Sequence, residues 1–300
     1  MTFSILNTIG NTPLVEIRHL HPNPNVKILA KLEYLNPGGS IKDRAALYMI
    51  ENGEKSGELT PDKTVIEATS GNTGIGLALV CAVKGYKLLL TMSDAASVER
   101  QKILKARGAD ILLTPGHLGT DGAIEEVYRL ARENPETYFM ADQFNNPANW
   151  QAHYRTTGPE IVEQTGGKVT HFIAGLGTSG TLMGVGRYLR GYDRRVQILA
   201  VQPDAPFHGL EGLKHMPSAI RPGIYDHTFP DRTIEVSTEA AYEMTLRLAG
   251  EEGLFVGVSS GAAALAAIQI ASELERGEVV VVFPDAGYKY LSESFWEAGG

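Results

Sequence analysis

The chain has 300 residues, 43% of them hydrophobic, which is enough for one large or two ordinary domains with substantial cores. Its formal charge of −8 lacks the basic footprint of a nucleic-acid binder. The start of the chain carries no basic segment followed by an apolar one, glycines and charges interrupt every apolar run short of a membrane span, and Cys81 is the single cysteine, so a soluble cytoplasmic protein without an intrachain disulfide is expected.

Short apolar runs alternate with helical periods along the chain. Residues 26–35 read as a strand, and 40–56 as a helix ending at Gly57. Residues 64–68 read as a strand and 74–84 as a helix closed by Gly85. Strands at 87–92 and 109–114 flank an amphipathic helix at 97–107, and 120–133 places Ala123, Val127 and Leu130 on one helical face. Further strands are predicted at 171–174, 198–202 and 279–283, with helices at 181–190, 238–252 and 262–276. This βαβα rhythm predicts an α/β protein with mainly parallel sheets covered on both faces. Residues 204–229 break it with Pro206, Gly209, Gly212, Pro217, Pro222 and Gly223, and so long an irregular stretch suggests a functional lid.

Three segments carry chemistry. Asn36-Pro37-Gly38-Gly39-Ser40-Ile41-Lys42-Asp43-Arg44 is a glycine-rich turn entering a helix, with Ser40 and Asp43 at capping-box spacing and Lys42 in the first turn. The helix dipole disfavours a cation there, and the same field favours the neutral amine that imine chemistry needs. On position alone a solvated surface lysine is the better reading. The second segment, Thr69-Ser70-Gly71-Asn72-Thr73-Gly74, lies between a strand and a helix and offers hydroxyls, an amide and backbone N–H groups to a carboxylate or phosphate. The third, Gly175-Leu176-Gly177-Thr178-Ser179-Gly180-Thr181, is a similar loop. Its glycines also satisfy the dinucleotide fingerprint, with Gln202 and Asp204 at the distance of a ribose-binding residue, so an NAD-dependent dehydrogenase is the rival from another class. That rival leaves Lys42 and the Ser70 loop unexplained, whereas an amino acid joined to pyridoxal phosphate (PLP) needs an amine and both loops. No H-E-x-x-H or C-x-x-C spacing appears, and no metal is expected.

With these segments together, the chain resembles the fold-type II PLP enzymes, most nearly the cysteine synthase family, its B-type members and the O-phosphoserine sulfhydrylases. The matched segments run nearly end to end: Ile9-Gly10-Asn11-Thr12-Pro13-Leu14-Val15, residues 37–44 and 67–76, Asp142-Gln143-Phe144-Asn145-Asn146-Pro147, Thr156-Thr157-Gly158-Pro159-Glu160, residues 170–181, Gly257-Val258-Ser259-Ser260-Gly261, and 285–292. The resemblance implies two domains, each a mainly parallel twisted sheet flanked by helices. A smaller mobile domain would cover residues 37–145, and a larger one, binding the PLP phosphate, 1–36 with 146–300; the cofactor would sit where their closure excludes water. It implies Lys42 as the Schiff-base lysine and acid–base at the substrate Cα, and Asn72 on the PLP 3′-oxygen. Thr69, Ser70, Gly71, Thr73 and Gln143 would bind the substrate carboxylate. Gly177, Thr178, Ser179, Gly180 and Thr181 would hold the phosphate, and Ser259 would meet the pyridine nitrogen. A hydroxyl partner leaves the ring a moderate electron sink, suited to β-elimination through an α-aminoacrylate and addition of sulfur to its β-carbon.

The implied activity is therefore a transferase of cysteine biosynthesis, a cytoplasmic homodimer taking O-acetylserine or O-phosphoserine and a sulfur donor to L-cysteine. Lys214, beside His215 in the irregular stretch and near Arg221, is a candidate contact for an anionic leaving group or sulfur donor, or else a solvated lysine. Within PLP enzymes the nearest alternatives are a serine/threonine dehydratase-type β-eliminase and cystathionine β-synthase, which commonly carry regulatory sequence without counterpart here; a catalytically silent binding protein on this fold is a further one. Cys81 in an apolar helical run reads as a core thiol, and Trp150 and His153 as packing and hydrogen-bonding residues. Asp285 is discounted as a ring-nitrogen partner.

Overall fold

A computed structural model describes residues 4–96 and 98–299. Ser97, where the sequence places the start of a helix, lies outside the described residues, as do residues 1–3 of the N-terminal reading. In chain order the elements are β1 (Leu14–Ile17), β2 (Val26–Leu32), α1 (Lys42–Ser56), β3 (Thr64–Ala68), α2 (Asn72–Lys84), β4 (Lys87–Ser93), α3 (Val98–Ala106), β5 (Asp110–Thr114), α4 (Gly119–Glu133), β6 (Tyr138–Met140), α5 (Ala148–Arg155), α6 (Thr157–Thr165), β7 (His171–Gly175), α7 (Gly180–Tyr192), β8 (Gln197–Pro203), β9 (Arg232–Val236), α8 (Thr238–Glu252), α9 (Val258–Glu273) and β10 (Gly277–Phe283). No helix among the described residues is long and apolar enough to cross a membrane. The chain divides into two units. The first is Met1–Ile9 with Asn36–Asn149, and the second Gly10–Leu35 with Trp150–Gly300.

Unit 1 holds a sheet in the order β5-β4-β3-β6, with every pair parallel. Parallel strands covered on both faces become apolar runs, and β3 and β4 are buried over most of their length. On one face Ala45, Ala46, Met49 and Ile50 of α1 share a core with Leu77, Ala78 and Val80 of α2 and Val65, Leu88 and Leu90 of the sheet. On the other, Ala123 and Val127 of α4 cover Ile66 and Ala68. The two first-face helices touch closely: a Cβ on Gly76 would lie 3.0 Å from the Lys42 carbonyl oxygen and 3.1 Å from Ala46 Cβ. The head of α1 therefore rests on α2, and Lys42 is carried by a packed helix. Cys81 is buried in this core, where desolvation pushes its thiol up to about 12, an inert packing residue.

Unit 2 holds a sheet in the order β1-β2-β10-β7-β8-β9, with β1 antiparallel to β2 and the other pairs parallel. Its central strand, Gly277–Phe283, is a run of valines buried along most of its length. Ala262, Ala263, Ala266, Ala267 and Ile270 of α9 enter the same core as Ile28, Val279 and Val281, with Ala241, Met244 and Leu248 of α8 also part of it. β2 carries a fully buried Lys31, made tolerable by three acceptors: the Thr12 carbonyl (2.6 Å), Glu160 (2.7 Å) and Gln164 (2.9 Å).

The strand expected over 26–35 stops at Leu32, because Glu33 turns inward in a 3-10 turn and accepts from the buried Thr12 hydroxyl at 2.7 Å. Strands β1, β6 and β9 and helices α5 and α6 add to the expected set. Residues 204–229 contain no helix or strand, in line with the irregular reading.

Candidate active site

Lys42 lies in the first turn of α1, as expected, but the helix begins at Lys42 itself and no capping box forms. Asp43 turns back to accept from the Gly38 N–H at 2.5 Å, and Ser40 Oγ accepts from the Lys42 N–H at 3.2 Å. The reason is local: the Gly38–Gly39 turn brings its own N–H inward, and a Cβ on Gly38 would collide with the Asp43 carboxyl. Lys42 still stands half-buried at the positive end of a 15-residue helix, where the dipole works against its ammonium form.

In the same unit, the loop from Thr69 to Thr73 links β3 to α2. The Thr69 hydroxyl accepts from the Gly71 N–H at 3.2 Å, holding the bend. Thr69, Ser70, Gly71 and Asn72 are half-buried, and Thr73 is buried. Asn72 opens α2, so the loop delivers hydroxyls and an amide at a helix N-terminus, a carboxylate-binding arrangement without a cation. Thr73 Oγ1 donates to Gln143 Oε1 at 2.6 Å, which brings two of the expected carboxylate residues together across 70 positions of sequence. Gln143 is in turn held from both sides. Its N–H donates to Glu67 Oε2 at 3.0 Å, and its carbonyl accepts from Asn149 Nδ2 at 2.7 Å. The preceding Asp142 takes a left-handed φ of 51°. A cavity of about 250 Å³ opens on this loop, with Thr69, Ser70, Ser93 and Thr120 in its wall.

Unit 2 carries the other loop, from β7 into α7. Ser179 caps α7 at φ 69°, a left-handed conformation that costs a serine on the order of 1 kcal/mol or more, and its buried Oγ has no hydrogen-bond partner. Strain and an orphaned hydroxyl at the head of a 13-residue helix mark a place shaped for an anion. Gly177 is required there, since a Cβ would lie 2.3 Å from the Gly212 carbonyl oxygen. Gly180 and Thr181 form the first turn of α7, with Thr178 buried beside them. His153 stands behind the loop, its ring nitrogens 3.0 Å from Thr157 Oγ1 and 3.4 Å from Thr181 Oγ1, which is the hydrogen-bonding role expected of it.

Ser259, 5% exposed, sits in the first turn of α9. Asp285 is buried and accepts from the Tyr290 hydroxyl at 2.7 Å, an anchor within the fold. Lys214 follows a turn that lies on the second loop: its N–H donates to the Leu176 carbonyl at 2.7 Å. Of the two ribose-binding candidates, Asp204 is exposed and Gln202 is engaged within the fold. Gln202 is buried, donating to Glu235 at 3.1 Å and accepting from the Met216 N–H at 3.3 Å.

A family model described as pyridoxal-phosphate dependent enzyme matches residues 5–285. The chain belongs to this family. Similar curated proteins include the cysteine synthase of Aquifex aeolicus, 52% identical over 98% of this chain and 92% of that protein. Cysteine synthase B of Escherichia coli is 42% identical over 95% of this chain and 93% of that one. Among solved structures, a cysteine synthase from Entamoeba histolytica aligns with a TM-score of 0.95 at 40% identity, covering 99% of this chain and 91% of that one. The two-sheet, helix-flanked architecture is that of the fold-type II enzymes of this family. Sequence reading missed Glu67 as part of the site. Its signal was a lone carboxyl inside the apolar run Val65-Ile66-Glu67-Ala68.

Proposed function

We propose that the chain is a PLP-dependent cysteine synthase, a transferase that replaces the β-substituent of an O-activated serine by sulfur to give L-cysteine. The observation that carries this reading is Lys42 at the head of α1, backed on Gly76 of the helix into which the Thr69–Thr73 loop leads. One packed unit thus presents an amine and a carboxylate cradle together.

The residues present fit the cofactor. The orphaned Ser179 hydroxyl and the glycine-only approach at Gly177 suit a phosphate, held by Gly177, Thr178, Ser179, Gly180 and Thr181. Lys42 Nζ would hold the cofactor covalently, Asn72 would donate to its ring oxygen, and Ser259 would meet its ring nitrogen. Bound PLP supplies the electron sink for the charge left when a Cα proton departs. Lys42, once released, takes that proton, and the helix N-terminus favours the neutral amine required. Thr69, Ser70, Gly71, Thr73 and Gln143 orient the substrate by its carboxylate, so that the proton lost is the one Lys42 can reach. Lys214 faces the leaving group or an anionic sulfur donor, its backbone fixed by the Leu176 carbonyl. The protein is expected to be a cytoplasmic homodimer.

The purified protein should show a near-violet visible band that borohydride reduction abolishes and that Lys42→Ala lacks; O-acetylserine should shift it. A colourless holoprotein would overturn the reading. For the leaving group, Lys214→Ala should lower turnover of O-phosphoserine relative to O-acetylserine, by about tenfold for one lost charge-assisted contact. An unchanged ratio removes Lys214 from the substrate.

A further inference from the structure

Glu67 is 3% exposed, in a strand whose other inward residues are apolar. Burying a carboxyl group this deeply is unfavourable unless it is tied at both oxygens. It is: Oε1 accepts from the Ala68 N–H at 2.9 Å and Oε2 from the Gln143 N–H at 3.0 Å. Ala68 ends β3 and directly precedes Thr69 and Ser70. Gln143 receives the Thr73 hydroxyl, from the first turn of α2. One side chain therefore ties three pieces of the carboxylate cradle: the exit of β3, the entry of α2 and the loop after β6.

We propose that Glu67 is a positioning residue for the amino-acid substrate: in its ionised form it holds Gln143 and the Thr69–Ser70 bend in the geometry that receives the substrate carboxylate. The inference rests on the reading of these residues as that cradle.

An ionised carboxylate accepts both N–H groups in charge-assisted bonds, whereas the protonated acid offers one carbonyl oxygen and a hydroxyl oxygen that is a poorer acceptor. Protonation thus weakens the two ties. Burial pushes Glu67 up to about 7, aided by Asp142 and opposed by the Gln143 and Ala68 N–H groups. The titratable groups around it are Asp142, on the loop after β6, and Tyr128 of α4, whose hydroxyl donates to Asp142 at 3.1 Å and is itself pushed up to about 12. The paired strand β4 sets Leu90 opposite it, and the first turn of α2 brings Asn72 and Thr73, which do not titrate. Substrate affinity should therefore improve as pH rises through neutrality.

The test uses holoenzyme and compares Glu67→Gln, Glu67→Asp and Thr73→Val. KM for O-acetyl-L-serine and kcat are measured from about pH 6 to about pH 9, with thermal unfolding to establish the folded state and with L-alanine binding, followed by the cofactor band, as a readout without turnover. Glu67→Gln should raise KM and the L-alanine dissociation constant about tenfold, leave kcat within about twofold, and flatten the pH dependence of both binding measures. Glu67→Asp, shorter but still titrating, should raise KM and keep a pH dependence; it carries the test alone if the Gln variant does not fold. If Thr73→Val weakens binding while the Glu67 variants leave KM and its pH profile unchanged, the positioning role is overturned and the cradle stands. If Thr73→Val also leaves binding unchanged, the cradle reading falls, and the role of Glu67 with it.

Discussion

A carboxylate kept in the interior has a thermodynamic signature apart from any catalysis. Glu67 binds its proton more tightly in the folded chain than in the unfolded one, since burial raises it from 4.5 to about 7. Its contribution therefore favours folding most at low pH and is lost as pH rises through the interval between those values. The full swing is roughly 3 kcal/mol. Urea unfolding at about pH 5 and about pH 8 should show Glu67→Gln gaining on the parent chain at the higher pH by an amount of that order. An identical difference at both values would mean that Glu67 titrates normally. The residues that bind were more legible than the residue that holds them. Lys42, the Ser70 loop and the Ser179 loop announce themselves because glycines and hydroxyls cluster within a few positions. Glu67 and Gln143 meet from 76 positions apart, and no local pattern encodes that. The same limit explains the capping of α1, where Asp43 found the Gly38 N–H in place of Ser40.

Helices that keep one wet face were read well: α4 buries Ala123 and Val127 and exposes its charges, and its start was placed within one residue. Helices whose N-terminal halves are buried on most sides are less legible. α2 begins at Asn72 and α9 at Val258, ahead of the expected 74 and 262, because an apolar surface on most sides leaves no period to find. The strands missed, β1, β6 and β9, are all sheet edges whose broken burial leaves no continuous apolar run to mark them. The packing of these elements gives a sharp prediction at Gly261 of α9. A Cβ there would lie 2.3 Å from the Ala241 carbonyl of α8 and 2.2 Å from Thr245 Oγ1. Backbone cannot yield as a side-chain tip can, so Gly261→Ala should destabilise unit 2 by about 1–3 kcal/mol, seen as a lower unfolding midpoint. A midpoint equal to that of the parent would show that the two helices separate at little cost.

The βαβα rhythm fixed the class of the molecule, but not the order of its strands. Nothing local says that β2, near the start, is the neighbour of β10, near the end. That pairing sets Ile28 beside Val279. Its consequence falls on the ribosome rather than on the finished protein. Apart from nine leading residues, unit 1 is one stretch, Asn36–Asn149, whose strands and helices all exist when half the chain has been made. The sheet of unit 2 lacks its central strand until residues 277–283 emerge. Until then β2 waits with an unpaired edge, the kind of surface that recruits chaperones or stray strands during synthesis. A stop codon placed before residue 277 therefore removes the middle of a sheet begun at residue 14.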